Sequence, residues 1–240
     1  MSWTVEGVRK NMSRRTPSKR RDLLEIFVPY ALILGVIWTP RPIQKWLWCL
    51  AAAVILVIVV VSWEGRDAMG LRWKNLFRSL WIVLAAMAAA TIGVVVAGHL
   101  HTLVRHGGPL WLIENYWLYA VWSFAQQFLL QCYFMVRFLR LLPRAWMAAL
   151  AAALLFSMAH IPSYILVPST IVWGFAACML FVRYRNLFPL AIAHAILGIT
   201  IAITIPGTVD HNMRVGLGYL RYNPRVHHHH PLLMHRSPQP

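Results

Sequence analysis

Five polar side chains capable of chemistry lie inside long apolar stretches of the sequence: Gln126, Gln127, Gln131, His160 and His194. A neutral imidazole can accept a proton near neutral pH. An amide can position a water molecule or donate a hydrogen bond to an oxyanion, but it cannot act as a general base. Polar groups within apolar stretches of this kind often mark functional sites. The set therefore indicates a candidate hydrolytic or binding site.

Helical spacing predicts that these side chains share one pocket. Gln127 and Gln131 are four residues apart and lie on one helix face, whereas Gln126 is rotated by about 100° toward a neighbouring helix. Counted along their helices from the membrane surface, Gln126, His160 and His194 are predicted to meet near the middle of the bilayer. Phe156, one turn before His160, is predicted to form part of the wall.

An alternative interpretation of the same residues is structural. Gln and His side chains join membrane helices through interhelical hydrogen bonds worth about 0.6–2 kcal/mol each. On this interpretation the amides and imidazoles hold the bundle together and perform no reaction.

The elements that position these residues are predicted to be transmembrane helices. The chain has 240 residues, 59% of them apolar and 12% charged, whereas a soluble domain carries roughly 25% charged residues. Seven apolar blocks approach the roughly 20 residues needed to cross a bilayer. The blocks are 23–39, 46–63, 79–98, 115–138, 145–162, 166–184 and 186–206. The sequence therefore predicts an all-α, polytopic transmembrane helical bundle of about seven helices.

The distribution of basic residues predicts the orientation. With a cytoplasmic N-terminus, 16 of the 23 Lys and Arg residues lie on the cytoplasmic side, as the positive-inside rule requires. The net charge of +16 then indicates contact with anionic membrane lipids rather than nucleic acid. We expect an integral protein of the bacterial inner (cytoplasmic) membrane.

Three regions follow from this pattern. Residues 1–22 form a basic cytoplasmic segment, 23–206 the transmembrane domain, and 207–240 a polar, His- and Pro-rich tail that we expect to be disordered. Four adjacent histidines, His227 to His230, are expected to be part of this solvated tail, and weak metal binding by them is the alternative. The three cysteines form no CxxC pair, so neither a disulfide framework nor a thiolate metal site is predicted.

The order of the polar motifs resembles a known family. Gln126-Gln127 and Gln131 come first, Phe156 to His160 second, and His194 to Gly198 third. This order resembles the CAAX protease and bacteriocin-processing (CPBP) family of intramembrane proteases, also called the type II CAAX prenyl endopeptidase or Abi family. The resemblance covers about residues 112–205, and the segment 70–73 also resembles the polar link that precedes the family's core.

The resemblance implies roles for these positions. The family's first motif, Glu-Glu-x-x-x-Arg, falls on Gln126, Gln127 and Gln131, so all three of its residues are replaced. Its two histidine positions are retained at His160 and His194. The resemblance therefore assigns catalytic positions to His160, His194, Gln126 and Gln127 and cavity positions to Gln131, Phe156 and Gly198.

The replaced glutamates bear on the activity that the resemblance implies. The family activity is membrane endopeptidase hydrolysis of a prenylated or transmembrane peptide, with a glutamate that activates water. We expect this activity to be altered or lost, with His160 or His194 as a substitute base. No cofactor is expected, because a divalent metal at His160 and His194 would have only two neutral ligands, and zinc requires three or four.

Two other functions remain open. A non-catalytic relative would bind a membrane peptide or lipid in the same cavity, as an immunity or regulatory protein does. A transporter or channel is the third hypothesis, but such proteins usually carry ionisable residues or broken helices at the midplane, and the sequence shows neither.

Overall fold

The computed structural model describes residues 18–63, 65–66, 69–71, 73, 75–104 and 109–223. These residues form helices and no β-strand, which confirms the all-α prediction. The main α-helices are α1 Lys19–Trp38, α2 Arg41–Val61, α3 Trp81–His99, α4 Pro109–Gln127, α5 Val136–Leu141, α6 Ala145–Met158, α7 Leu166–Tyr184 and α8 Phe188–Thr204. A π-helix, Phe128–Met135, connects α4 to α5, and short helices lie at Leu76–Ser79, Gly207–Asp210 and Gly216–Leu220.

The helices follow the seven predicted apolar blocks. Each block overlaps one helix, and the fourth block overlaps the continuous segment made by α4, the π-helix and α5. Three segments of the described chain are long and apolar enough to cross a membrane, namely Arg41–Val61, Leu76–His99 and Leu166–Tyr184. Large apolar side chains on them remain exposed, including Leu56 at 64% and Leu84 at 65%, as expected for a surface that contacts lipid.

Small residues bring α6 and α7 into close contact. Ala149 and Ala153 of α6 are completely buried, and a Cβ atom on Gly174 of α7 would lie 3.3 Å from Cα of Ala153. Close approach through small residues is a common way for helices to pack in membranes, where van der Waals contact replaces the hydrophobic effect. The tight α6–α7 pair positions Phe156 near the end of α6 and His160 in the turn that follows it.

Two further helix groups complete the bundle. Helix α8 packs against α3 and α4, while α1 packs against α2 and α5. The α4–α8 contact brings the glutamine motif to His194, and the α1–α2 pair faces it across a cavity.

The segment Met69–Leu71 anchors the loop before α3 to the core. The Leu187 N–H donates to the Gly70 carbonyl oxygen over 3.0 Å, and the Cys132 thiol donates to the Met69 carbonyl oxygen over 2.7 Å. Gly70 has a φ of +70°, and a Cβ there would lie 2.6 Å from Cε2 of Phe181. The segment therefore requires glycine at this position, for both its backbone conformation and its close packing.

Replacing this glycine tests the anchor. We expect Gly70→Ala to destabilise the protein by about 1–3 kcal/mol, because the left-handed conformation and the contact with Phe181 both oppose a side chain. Thermal unfolding followed by tryptophan fluorescence in detergent measures the change. Gly98→Ala is the matched control, since a Cβ at Gly98 meets no atom within 4 Å. Equal melting temperatures for the two variants would contradict the assignment.

Part of the segment assigned to the C-terminal tail is folded. Residues 207–223 include two short helices, and the Gly216 N–H donates to the Ile161 carbonyl oxygen over 2.8 Å. Three consecutive residues, His211 to Met213, have φ near +55°, and the Asp210 carboxylate accepts from the Asn212 N–H. Tertiary contacts thus fix a segment whose polar composition favours disorder. His227 to His230 and residues 1–17 lie outside the described residues.

Candidate functional site

The glutamine motif lies where α4 passes into the π-helix. Gln127 is the last residue of α4, and the eight-residue π-helix begins at Phe128. It contains neither proline nor glycine, so local sequence does not explain the wider turn. π-Helical turns recur at functional sites because they change the direction in which side chains point. Gln126 is only partly buried, whereas Gln127 and Gln131 are completely buried.

A chain of hydrogen bonds joins the three amides to His194. Gln131 Nε2 donates to Gln127 Oε1 over 3.2 Å, and Gln127 Nε2 lies 3.3 Å from His194 Nδ1. On the other side of the ring, His194 Nε2 lies 3.2 Å from Gln126 Oε1. Two adjacent glutamines therefore hold one imidazole at both of its nitrogens.

These contacts select one tautomer of His194. Gln126 Oε1 can only accept, so His194 Nε2 carries the proton and donates to it. His194 Nδ1 then accepts from the Gln127 amide. With its lone pair and its proton both engaged, His194 is not available as a general base in this arrangement.

His160 has a different environment. It lies just after α6, and its Nδ1 is 2.8 Å from the Phe156 carbonyl oxygen, which can only accept. His160 Nδ1 therefore carries the proton, and Nε2 keeps its lone pair. The Phe156 ring packs near both imidazoles, with centroid distances of 4.8 Å to His160 and 5.8 Å to His194.

A cavity of about 1320 Å³ lies beside these residues. Gln126, His160, His194, Phe156 and Gly198 all line it, together with mainly apolar residues of α1, α2, α4, α6, α7 and α8. No Asp or Glu of the described chain is among the lining residues. The cavity is therefore a large apolar space with a small imidazole and amide group on one wall.

The predicted site residues divide into two groups. The structure brings Gln126, His160 and His194 to the cavity wall, whereas Gln127 and Gln131 lie behind His194 and do not line the cavity. Gln126 was expected to point toward a different neighbour from Gln127, but both amides contact the same ring. Adjacent helical positions point about 100° apart, but a glutamine side chain is long enough to bend toward the same neighbour. The direction of the helical position therefore does not determine which residue the amide contacts.

Two aromatic residues of the site were not singled out from the sequence. The ring centroids of Trp173 and His194 are 6.3 Å apart, and Tyr119 packs on Gly198. Both line the cavity. Tyr119 precedes Gln126 by seven residues, so heptad spacing could have placed it on the same helix face.

The donor set does not fit a metal ion. No group of three His, Cys, Asp or Glu side chains comes together within the described ranges. Of the two imidazoles, His194 has both nitrogens hydrogen-bonded to amides, which leaves His160 Nε2 as a single donor. One nitrogen is too few for the three or four ligands that zinc requires.

The acidic residues near the bundle core lie in a separate cluster. Glu25 pairs with Arg137 over 2.6 Å and with Arg21 over 2.7 Å, and Asp22 pairs with Arg140 over 2.8 Å. These carboxylates join α1 to α5 and do not line the cavity. They therefore supply no carboxylate to the cavity wall.

Comparison with known proteins agrees with the motif order. Residues 109–200 match the family model for type II CAAX prenyl endopeptidase, Rce1-like. No curated protein and no solved structure matches the chain. The matched segment runs from the start of α4 to within α8 and includes every predicted site residue. Residues 109–200 are thus similar to the Rce1-like type II CAAX prenyl endopeptidases, in agreement with the motif order, and the apolar helices make the chain a CAAX protease-like membrane protein.

Proposed function

We propose that the protein binds a prenylated or transmembrane peptide in the cavity and has lost the glutamate-dependent hydrolysis of its family. The observation that carries this proposal is the Gln126–His194–Gln127 arrangement on the cavity wall. It places two amides where the family motif places carboxylates. An amide holds a hydrogen bond but takes no proton, so the step that activates water has no base at this position.

The cavity itself supports a binding role. Apolar side chains form most of its lining, Gln126 and His194 form one polar region of it, and Arg41, Gln44 and Arg214 also contribute to the lining. Binding sites commonly combine apolar walls with a few polar groups that fix orientation. An isoprenyl chain or the apolar side chains of a transmembrane peptide would fill the lipid-like part, and the peptide group would face the amides.

The hydrogen-bond chain also supports stability without catalysis. Two buried carboxylates need protons or cations nearby, whereas neutral amides need only hydrogen-bond partners. Gln131 Nε2, Gln127, His194 and Gln126 Oε1 supply such partners to one another, while Gln131 Oε1 is buried without one among the described residues. A binding or regulatory protein could therefore keep this cavity without the cost of burying negative charge.

Hydrolysis with His160 as the base is a second candidate function. The observation that favours it is the orientation of His160, whose Nδ1–H is held by the Phe156 carbonyl and whose Nε2 lone pair remains. A neutral imidazole on the cavity wall is chemically able to accept a proton from water. In this reaction Gln126 and His194, which contact each other on the cavity wall, would orient the peptide relative to the His160 ring.

One experiment separates the two functions. Purified protein in nanodiscs is mixed with a farnesylated tetrapeptide that carries an N-terminal NBD fluorophore. Fluorescence anisotropy measures binding, and mass spectrometry measures cleavage. We expect saturable binding that is weaker for the same peptide without its farnesyl group, and no cleavage.

The outcomes are distinct. Cleavage by the natural protein that disappears in His160→Ala would establish the second function in place of the first. Absence of saturable binding to both the farnesylated peptide and a single-span transmembrane peptide would refute the binding proposal. His99→Ala is the control, because His99 lies at the end of α3 and does not line the cavity.

The membrane arrangement completes the proposal. We propose seven spans with a cytoplasmic N-terminus in the bacterial inner membrane. The one-to-one match between the seven apolar blocks and helical segments supports the number of spans. The excess of Lys and Arg on one side supports the orientation.

A further inference from the structure

Tyr119 and Gly198 form a second contact between α4 and α8, beside the Gln126–His194 contact. A Cβ atom on Gly198 would lie 1.9 Å from the Tyr119 hydroxyl oxygen and 2.6 Å from its Cζ atom. The phenol thus occupies the space that any side chain at position 198 would take. Glycine at this position is what allows the Tyr119 ring to reach α8.

The two contacts are adjacent on the same helix faces. Tyr119 precedes Gln126 by two helical turns, and Gly198 follows His194 by one turn. Tyr119, Gln126, His194 and Gly198 all line the cavity. The phenol is therefore on the same wall as the amide and imidazole group, displaced along the helices.

Other hydroxyl groups of the lining are used within the protein. The hydroxyls of Ser169, Thr170 and Thr200 each donate to a carbonyl oxygen of their own helix. The Tyr30 hydroxyl donates to the Leu155 carbonyl oxygen. Because their hydroxyl protons are donated to backbone carbonyl oxygens, these residues present mainly their carbon atoms to the cavity.

Tyr119 differs from them in its surroundings. Its ring is held against Gly198, and Ser123 of the same helix lies beside its hydroxyl. A tyrosine hydroxyl can donate one hydrogen bond and accept others, so contact with Ser123 leaves capacity for a ligand. Side chains with few rotatable bonds, held rigidly by packing, recognise ligands at a low cost in conformational entropy.

We propose that Tyr119 determines specificity for the peptide part of the ligand. Its hydroxyl hydrogen-bonds a peptide group that lies against the Gln126–His194 pair, while the apolar chain of the ligand fills the rest of the cavity. Gly198 supports this role by leaving room for the phenol. The inference rests on the proposed binding function and adds the residue that distinguishes a peptide from a plain isoprenoid.

Two probes test this role in the natural protein and its variants. The first is the farnesylated NBD-tetrapeptide, and the second is an NBD-labelled farnesyl ether that lacks peptide groups. We expect Tyr119→Phe to weaken binding of the peptide probe by about 3- to 10-fold, the loss of one hydrogen bond. Binding of the farnesyl ether should remain unchanged, because the ring and its packing are retained.

Tyr116→Phe is the matched control. Tyr116 lies on the same helix but does not line the cavity, so both affinities should equal those of the natural protein. Equal affinity of Tyr119→Phe and the natural protein for the peptide probe would refute the role of Tyr119 while the binding function stands. Failure of the natural protein to bind either of these probes or the single-span transmembrane peptide would instead refute the binding function itself.

A double-mutant cycle tests the Tyr119–Gly198 contact separately from binding. Gly198→Ala should lower the melting temperature in the presence of Tyr119, because the added methyl group requires the phenol to move. The same substitution in a Tyr119→Ala background should cause little or no loss, since the space is then open. Additive effects of the two substitutions would show that the phenol does not occupy the space beside Gly198.

Discussion

Replacing Gln126 by glutamate is expected to create cleavage of the farnesylated tetrapeptide at a rate at least about 100-fold above that of the natural protein. Gln126 lines the cavity and contacts His194 Nε2. A carboxylate there would have a lone pair that can accept a proton from a water molecule in the cavity. General-base catalysis by a positioned side chain contributes typically 10²–10⁴-fold, which sets the expected magnitude.

The structure predicts that position 126 matters more than position 127 for this gain. Gln127 is completely buried and lies behind the His194 ring, where it contacts Nδ1. A carboxylate at position 127 would orient the imidazole and stabilise its charged form, but it would have no direct access to water in the cavity. We therefore expect Gln127→Glu alone to produce no cleavage.

Combined variants provide the controls for this prediction. Adding Gln127→Glu to Gln126→Glu should preserve the gain, since each carboxylate would then contact one nitrogen of the same ring. Adding His160→Ala to Gln126→Glu should reduce the gain if His160 positions the water or the peptide carbonyl. A cleavage rate in Gln126→Glu no higher than in the natural protein, with the farnesylated peptide still bound, would contradict the proposed reason for lost hydrolysis.

The sequence was sufficient to predict the helices and the contact of the glutamine motif with His194, but not the aromatic residues beside it. Apolar length predicted the helical segments, and the spacing of four residues placed Gln127 and Gln131 on one face, where they form a hydrogen bond. Polar groups in apolar helices must find partners within the protein. This requirement was enough to predict that Gln126 and His194 would lie close together, without any knowledge of the tertiary structure.

The arrangement around these residues was not predictable in the same way. The π-helix at Phe128–Met135 changes the helical rotation, and no local residue signals it. Contacts such as Tyr119 with Gly198 depend on how two distant helices align. Residues 207–223 show the same limitation, because tertiary contacts order a segment that is polar in composition. Sequence periodicity predicts which residues share one face of a helix. The relative position of two helices depends on side-chain packing throughout the core, which periodicity does not reveal.

The ion pair between Glu25 and Arg137 is another contact that spacing could not reveal, because the two residues are 112 positions apart. Arg137 is 2% exposed, and its guanidinium donates twice to Glu25 Oε2, once to the Tyr133 carbonyl oxygen and once to Ser62 Oγ. The group also lies 3.6 Å above the Tyr133 ring. A single side chain thus connects α1, the end of α2 and the π-helix.

Removing this side chain should destabilise the protein strongly. We expect Arg137→Ala to cost about 2–3 kcal/mol, because it removes several hydrogen bonds to a partly buried carboxylate and the packing of Arg137 on Tyr133, while Arg21 remains paired with Glu25. Unfolding by sodium dodecyl sulfate, followed by tryptophan fluorescence, measures the free-energy difference. Arg137→Lys should recover only part of the loss, because an ammonium group cannot reproduce the planar set of donors.

Arg21→Ala is the matched control for Arg137→Ala, since it removes a different partner of the same carboxylate. The Arg21 side chain is 51% exposed in its pair with Glu25, and exposed ion pairs contribute about 0–1 kcal/mol. We expect only a small change for Arg21→Ala. Similar losses for the two arginine variants would show that burial does not decide the strength of this cluster. A large loss confined to Arg137 would show that the π-helix bearing Gln131 depends on a connection to α1, far along the chain from the motif it supports.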